Sequence, residues 1–185
     1  ASLLVGAFLF KPILVFVVLL IAWTRIVRCR WKQLGFEVLG AAVAVIIAII
    51  AAILKFGSAF VWVEWLEMGG YVFNNTPVSK GNWGLVPLYR ELWGFDLSSY
   101  AAPCFLALSA VSLWLRARFL KIEREPEDLL ALSLGLLTYM LSARLCWSHY
   151  YTLALIPLLL ILRPELEQSK IWRAIRLGVG LLAGL

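Results

Sequence analysis

Long apolar runs separated by short polar or basic clusters set the rhythm of this chain. The runs cover residues 3–23, 36–54, 97–115, 129–145 and 150–162, and a last one begins at 177 and continues to 185. A helix rises 1.5 Å per residue, so about 20 apolar residues reach across the hydrocarbon of a bilayer. Runs of this length, without strict alternation of apolar and polar positions, predict helices rather than strands. The expected fold is all-α: a polytopic transmembrane helix bundle of about six segments, forming a single integral membrane domain over 1–185. Between the second and third runs, 55–96 reads as a long extracytoplasmic loop carrying short interfacial helices. It holds Trp62, Trp65, Trp83 and Trp93 among Gly, Asn and Pro.

The polar clusters orient the bundle. Loops 24–33, 116–128 and 163–176 carry four Lys or Arg each, whereas 55–96 holds Lys55, Lys80 and Arg90 and the tight 143–149 turn holds Arg144 alone. Lys and Arg are retained on the cytoplasmic side, so the rich loops are expected inside and the sparse ones outside at every crossing. The protein is therefore expected in the plasma (inner) membrane as a multi-pass protein. Hydrophobic residues make up 63% and mean hydropathy is +0.89, more apolar surface than a soluble domain of 185 residues hides. The net charge of +6 is spread over inter-helix loops, which fits loop retention and anionic lipid better than nucleic acid. Cys29, Cys104 and Cys146 lack metal-ligand spacing and read as inert thiols. The chain opens on Ala1-Ser2 without a signal peptide and stops within an apolar run, so it is expected to be a fragment of a longer protein.

Chemistry is sought where polar residues meet the membrane. Lys11-Pro12 interrupts the first run; Pro bends or ends a helix there, and a membrane lysine either faces a polar cavity or snorkels to the interface. Residues 60–67 pair aromatics with Glu64 and Glu67, as in an interfacial helix, and serve as a headgroup belt or as a platform for a sugar. Residues 85–93 follow Asn82 and form a second short helical pattern with Arg90, which meets either a phosphate or solvated headgroups. Asn74-Asn75-Thr76 matches a glycosylation sequon. The turn running from Arg144 through Trp147 and His149 to Tyr150 contains the only histidine, suited to a phosphate or a sugar hydroxyl. One histidine without nearby carboxylates makes no metal site.

Four features in order resemble glycosyltransferase family 87, membrane-embedded mannosyltransferases of the GT-C superfamily that use polyprenyl-phosphate mannose. They are Lys11-Pro12 with the Arg28–Lys32 basic loop, the Trp62–Trp65 segment, Gly81-Asn82-Trp83-Gly84-Leu85, and Trp147-Ser148-His149-Tyr150 with Pro157. The resemblance covers residues 5 to 163 and corresponds to the C-terminal half of the family. It implies sugar transfer on the outer face to a glycan or glycolipid acceptor, with polyprenyl phosphate as leaving group and no cofactor. It implies His149 as catalytic residue and Lys11, Arg144, Asn82, Trp147, Tyr150 and Arg90 as substrate contacts, Asn82 binding sugar or fixing a loop. The chain departs from the family at Gly84, usually Ser, and at Ala143-Arg144, commonly Ser-Pro. The family's catalytic Asp sits in an outer loop that this sequence lacks, so the fragment alone is expected to be inactive. A transporter or flippase and a non-catalytic membrane assembly subunit are the alternatives. The absence of internal symmetry argues against the first, and the faint Gly35, Gly40, Ala44 pattern gives little for the second.

Overall fold

A computed structural model describes residues 14–75, 81–82, 84–119 and 124–146. Among the described residues there are six helices and no strand: α1 (Val15–Val27), α2 (Trp31–Phe56), α3 (Val61–Asn75), α4 (Leu85–Trp93), α5 (Ser98–Phe119) and α6 (Arg124–Ser142). Lys11-Pro12, the turn from Trp147 through His149 to Tyr150, the fifth and last apolar runs and the basic loop 163–176 lie outside the described residues.

The core is a three-helix unit. α6 packs against both α1 and α5, which also touch each other. Val17, Leu20 and Ile21 of α1 meet Leu113 of α5 and Ala131, Leu136 and Tyr139 of α6. Gly135 sets the spacing of α1 and α6, because a Cβ at this position would come within 2.6 Å of the main-chain N and Cα of Val17. Two polar contacts tie α5 to its neighbours inside this unit. Ser109 and Thr138 share a hydrogen bond of 3.0 Å across α5 and α6, and Trp23 Nε1 donates to the Ala110 carbonyl at 2.9 Å. Such pairing is what burial of hydroxyl and indole groups requires.

The first connection is far tighter than the loop 24–33 that the sequence suggests. α1 continues through the polar Thr24 and Arg25 and ends in a Schellman motif. Cys29 N–H bonds to the Ile26 carbonyl at 2.9 Å and Arg30 N–H to the Arg25 carbonyl at 2.8 Å. The left-handed position of that motif, normally glycine, is held by Cys29 at φ 54°, which for a residue with a Cβ costs about 1–2 kcal/mol. α2 starts at once, five residues ahead of the apolar run, because Trp31 through Gly35 extend the helix with tolerable propensity. Gly57, at φ 75°, closes it by donating its N–H to the Ile53 carbonyl.

α2 and α5 are long and apolar enough to cross a membrane. α2 is the more telling of the two. Only 6% of its apolar stretch is buried, and Phe36, Ile47 and Leu54 stand largely exposed. α3 folds back beside its end, where Trp62 Nε1 reaches the Ala48 carbonyl at 3.3 Å and Trp62 and Trp65 meet edge to face. Most of α3 is exposed, including Glu64 and Glu67. The 55–96 segment thus contains two helices, and α4 occupies the residues that its short helical pattern marks.

Because backbone blocks the space beside Gly135, Gly135→Ala is expected to pry α1 from α6. The loss should be about 1–3 kcal/mol, read as a lowered unfolding midpoint in detergent. A midpoint equal to wild type would mean that the two helices are not in this contact.

Candidate functional site

At one end of the three-helix unit, residues distant in sequence are tied together by a single side chain. Asn82 is fully buried. Its Nδ2 donates to the Arg144 carbonyl at 2.8 Å, and its Oδ1 accepts from Cys146 N–H at 3.0 Å and Gly84 N–H at 3.2 Å. The amide therefore matches one acceptor and two donors on the backbone of two separate loops, a pattern only Asn or Gln can supply. Gly84 completes the fit by its size. A Cβ there would lie 2.9 Å from the Ala143 carbonyl and 3.0 Å from the Pro87 ring. The absence of a side chain at this position thus permits close approach of the 143–146 turn.

α4 leaves this junction directly. Pro87 stands in its first turn, where the missing N–H costs nothing, and Val86 and Pro87 are buried against the turn. Gly94, at φ 72°, ends the helix after nine residues. The chain then reverses into α5 through Asp96, whose Oδ1 accepts from Ser98 N–H at 2.8 Å. The Ser98 hydroxyl in turn accepts from Arg144 Nη2 at 2.6 Å. Val86, Pro87, Arg90, Asp96 and Arg144 line a shallow open cleft of about 10 Å³, room for roughly one water.

This cleft combines two guanidiniums, a carboxylate and a serine hydroxyl. The bonds from the Ser98 hydroxyl and N–H hold the Asp96 carboxyl below the usual carboxylate range, and the charges of Arg144 and Arg90 act in the same direction. Any stability from that turn is present above the ordinary carboxylate pKa and is lost as pH falls through the lowered one. Arg90 and Arg144 are both exposed at the cleft, and Arg144 is held there by its bond to the Ser98 hydroxyl.

Among the site residues read from sequence, the structure brings Arg90 and Arg144 to one cleft, and buried Asn82 bonds the Arg144 backbone without lining that cleft. Lys11, Trp147, His149 and Tyr150 lie outside the described residues. Asp96 and Ser98 were missed, although Asp-x-Ser immediately before an apolar run is a recognisable helix-entry signal. Among the described residues no group of three or more His, Cys, Asp or Glu converges to hold a metal ion.

A second charged cluster occupies the other end of the three-helix unit. Arg25 is 3% exposed and forms a fork with Asp128, at 2.6 and 2.8 Å, while its Nε bonds Glu37 at 3.1 Å. Arg28 Nε bonds Glu127 at 2.8 Å, and its Nη2 contacts the same oxygen. The basic loop, whose charges the sequence assigns to cytoplasmic retention and anionic lipid, is ion-paired to the start of α6 through Arg25 and Arg28. No sequence pattern signals this pairing, since the partners stand about a hundred residues apart.

Asn82→Ala should remove its bonds to the Arg144 carbonyl and to the Cys146 and Gly84 amides, at a cost of about 2–4 kcal/mol. Amide hydrogen exchange at Cys146 should accelerate, while exchange in the α1–α6 core changes far less. Equal acceleration everywhere would show that Asn82 supports the whole fold rather than this junction.

No family model, no curated protein and no solved structure matches this chain.

Proposed function

We propose that this chain is a multi-pass membrane protein of about six crossings in the plasma (inner) membrane. In this reading it moves a sugar from a polyprenyl-phosphate donor to an extracytoplasmic glycan or glycolipid acceptor. Mannose is the first donor sugar to test. Membrane residence is supported by α2, whose apolar surface is left uncovered over most of its length. A soluble protein rarely exposes a continuous apolar patch of this kind.

The observation that carries the transfer reading is the Asn82 junction. It joins the Gly81-Asn82 motif to the turn that leads into the Trp147–Tyr150 motif, sixty residues further on. The Gly81-Asn82 motif thus lies beside a cleft lined by two arginines and is bonded to the 143–146 turn, which precedes the Trp147–Tyr150 motif in sequence. His149 follows Cys146 by three residues, so the junction fixes the point from which that motif departs.

In such a site the acceptor hydroxyl attacks the anomeric carbon and yields its proton to a carboxylate base. The bond from that carbon to the phosphate oxygen breaks, and the electron pair stays on polyprenyl phosphate. Arg144 and Arg90 would stabilise the charge that grows there, with His149 and Lys11 as further donors. Preplaced cationic donors lower such barriers because they need no reorganisation as charge develops. Asn82 acts at one remove, by holding the Arg144 backbone.

Membranes carrying the protein as the cell makes it should transfer label from polyprenyl-phosphate mannose. Arg144→Gln is expected to slow turnover by about a hundredfold, and His149→Ala to abolish it, at unchanged protein levels. Unaltered turnover in both variants would remove the site from this end. Sidedness has its own test. In intact cells a membrane-impermeant maleimide should miss Cys29, which is exposed in the α1–α2 turn, and label a cysteine placed at Asp96. The reverse pattern would turn the cleft toward the cytosol and end the extracytoplasmic reading.

A further inference from the structure

The arginine-rich end holds more positive charge than its carboxylates absorb, and the excess is focused on one spot. Arg25 is satisfied by Asp128 and Glu37. The remaining carboxylate, Glu127, is buried and serves three guanidiniums at once. Arg28 bonds it directly, Arg30 Nη1 approaches its Oε2 to 3.8 Å, and Arg116 lies within electrostatic reach of both Glu127 and Arg28. Across the described cluster four guanidiniums, Arg25, Arg28, Arg30 and Arg116, face three carboxylates, Glu37, Asp128 and Glu127, which leaves an excess of one positive charge.

Hydrogen bonding points to the same spot. Arg30 Nη1, Arg116 Nε and Glu127 Oε2 are buried without a hydrogen-bond partner. Arg30 Nη1 and Glu127 Oε2 face each other at 3.8 Å, too far for a hydrogen bond, and Arg116 Nε is a donor without an acceptor. A burden of several unsatisfied buried groups is unusual in a native structure and calls for a partner. A phosphate group fits, since its oxygens are acceptors only and guanidiniums bind it in forked geometry. The rim of the cluster is set by Trp31, 59% exposed, with Lys32 and Arg118 also exposed. Indole and ammonium groups at the end of long apolar helices are what a headgroup layer favours.

We propose that Arg30 and Arg116 bind a phosphate group beside Glu127, and that an anionic lipid headgroup supplies it. The inference draws on membrane residence and is independent of sugar transfer, which belongs to the opposite end of the bundle. Arg28 and Glu127 hold α1 to α6, Arg30 and Arg116 take the phosphate, and Trp31 and Lys32 border the lipid.

The test is calorimetric titration of the whole chain in neutral detergent with short-chain phosphatidylglycerol, short-chain phosphatidylcholine or inorganic phosphate. Saturable binding of phosphatidylglycerol is expected, with phosphatidylcholine weaker. Arg116→Gln and Arg30→Gln should each weaken it by about tenfold, while Arg116→Lys retains part of it. Circular dichroism of each variant checks that the helices persist. Inorganic phosphate binding as tightly as phosphatidylglycerol would uphold the phosphate site and overturn the lipid as its source. No saturable binding by the wild type, or binding indifferent to both arginines in folded variants, would overturn the proposal.

Discussion

Everything at one end of the molecule depends on the buried guanidinium of Arg25. It lies at the last turn of α1, reaches Glu37 in the second turn of α2 and forks onto Asp128 at the start of α6. Three helices are thereby fixed in one register by a single side chain. A charge this deeply placed is tolerable only when fully bonded, and here two carboxylates and the Thr24 hydroxyl surround it. The apolar contacts of Val17, Leu20 and Leu136 supply attraction but little direction. The ion pairs supply direction, since a slip of one residue along α1 would separate Arg25 from both acids.

The two ends of the three-helix unit solve the same problem with different chemistry. At the Arg25 end, charges hold helix termini. At the Asn82 end, one neutral amide holds loops through their backbones, and the charged groups Arg90, Arg144 and Asp96 line an exposed cleft, where Ser98 links Arg144 to Asp96. α4 is short and well capped: Gly84 and Gly94 bracket it so that Arg90 is presented from a fixed turn rather than a loose segment.

Much of the helical layout was legible in the residue pattern. Apolar runs marked α2, α5 and α6, and the Pro–Gly-bounded stretch marked α4. Boundaries were missed where a helix carries charge beyond its apolar run. α1 continues to Val27 because Arg25 is paired and because a Schellman turn forms on Cys29, where no glycine advertises it. α5 continues to Phe119 through Arg116 and Arg118 for the similar reason that helix propensity does not stop at a charge. In the candidate site, Arg90 drew notice on a short helical pattern, and Asn82 and Arg144 through motifs that resemble a glycosyltransferase family. Their convergence was not readable, since it rests on an amide spanning sixty residues. Gly135 shows the same limit: a lone glycine in a leucine-rich helix marks a close contact but does not say with what.

The Asn82 hydrogen bonds run to main-chain atoms: a carbonyl and two amides. Such a latch is indifferent to which side chains the 143–146 turn carries. Residues at 144 and 145 can therefore be exchanged during divergence while the turn keeps its place, so that recognition at this rim evolves separately from architecture. Gly84 is the exception, because the latch closes only where nothing projects from that α-carbon.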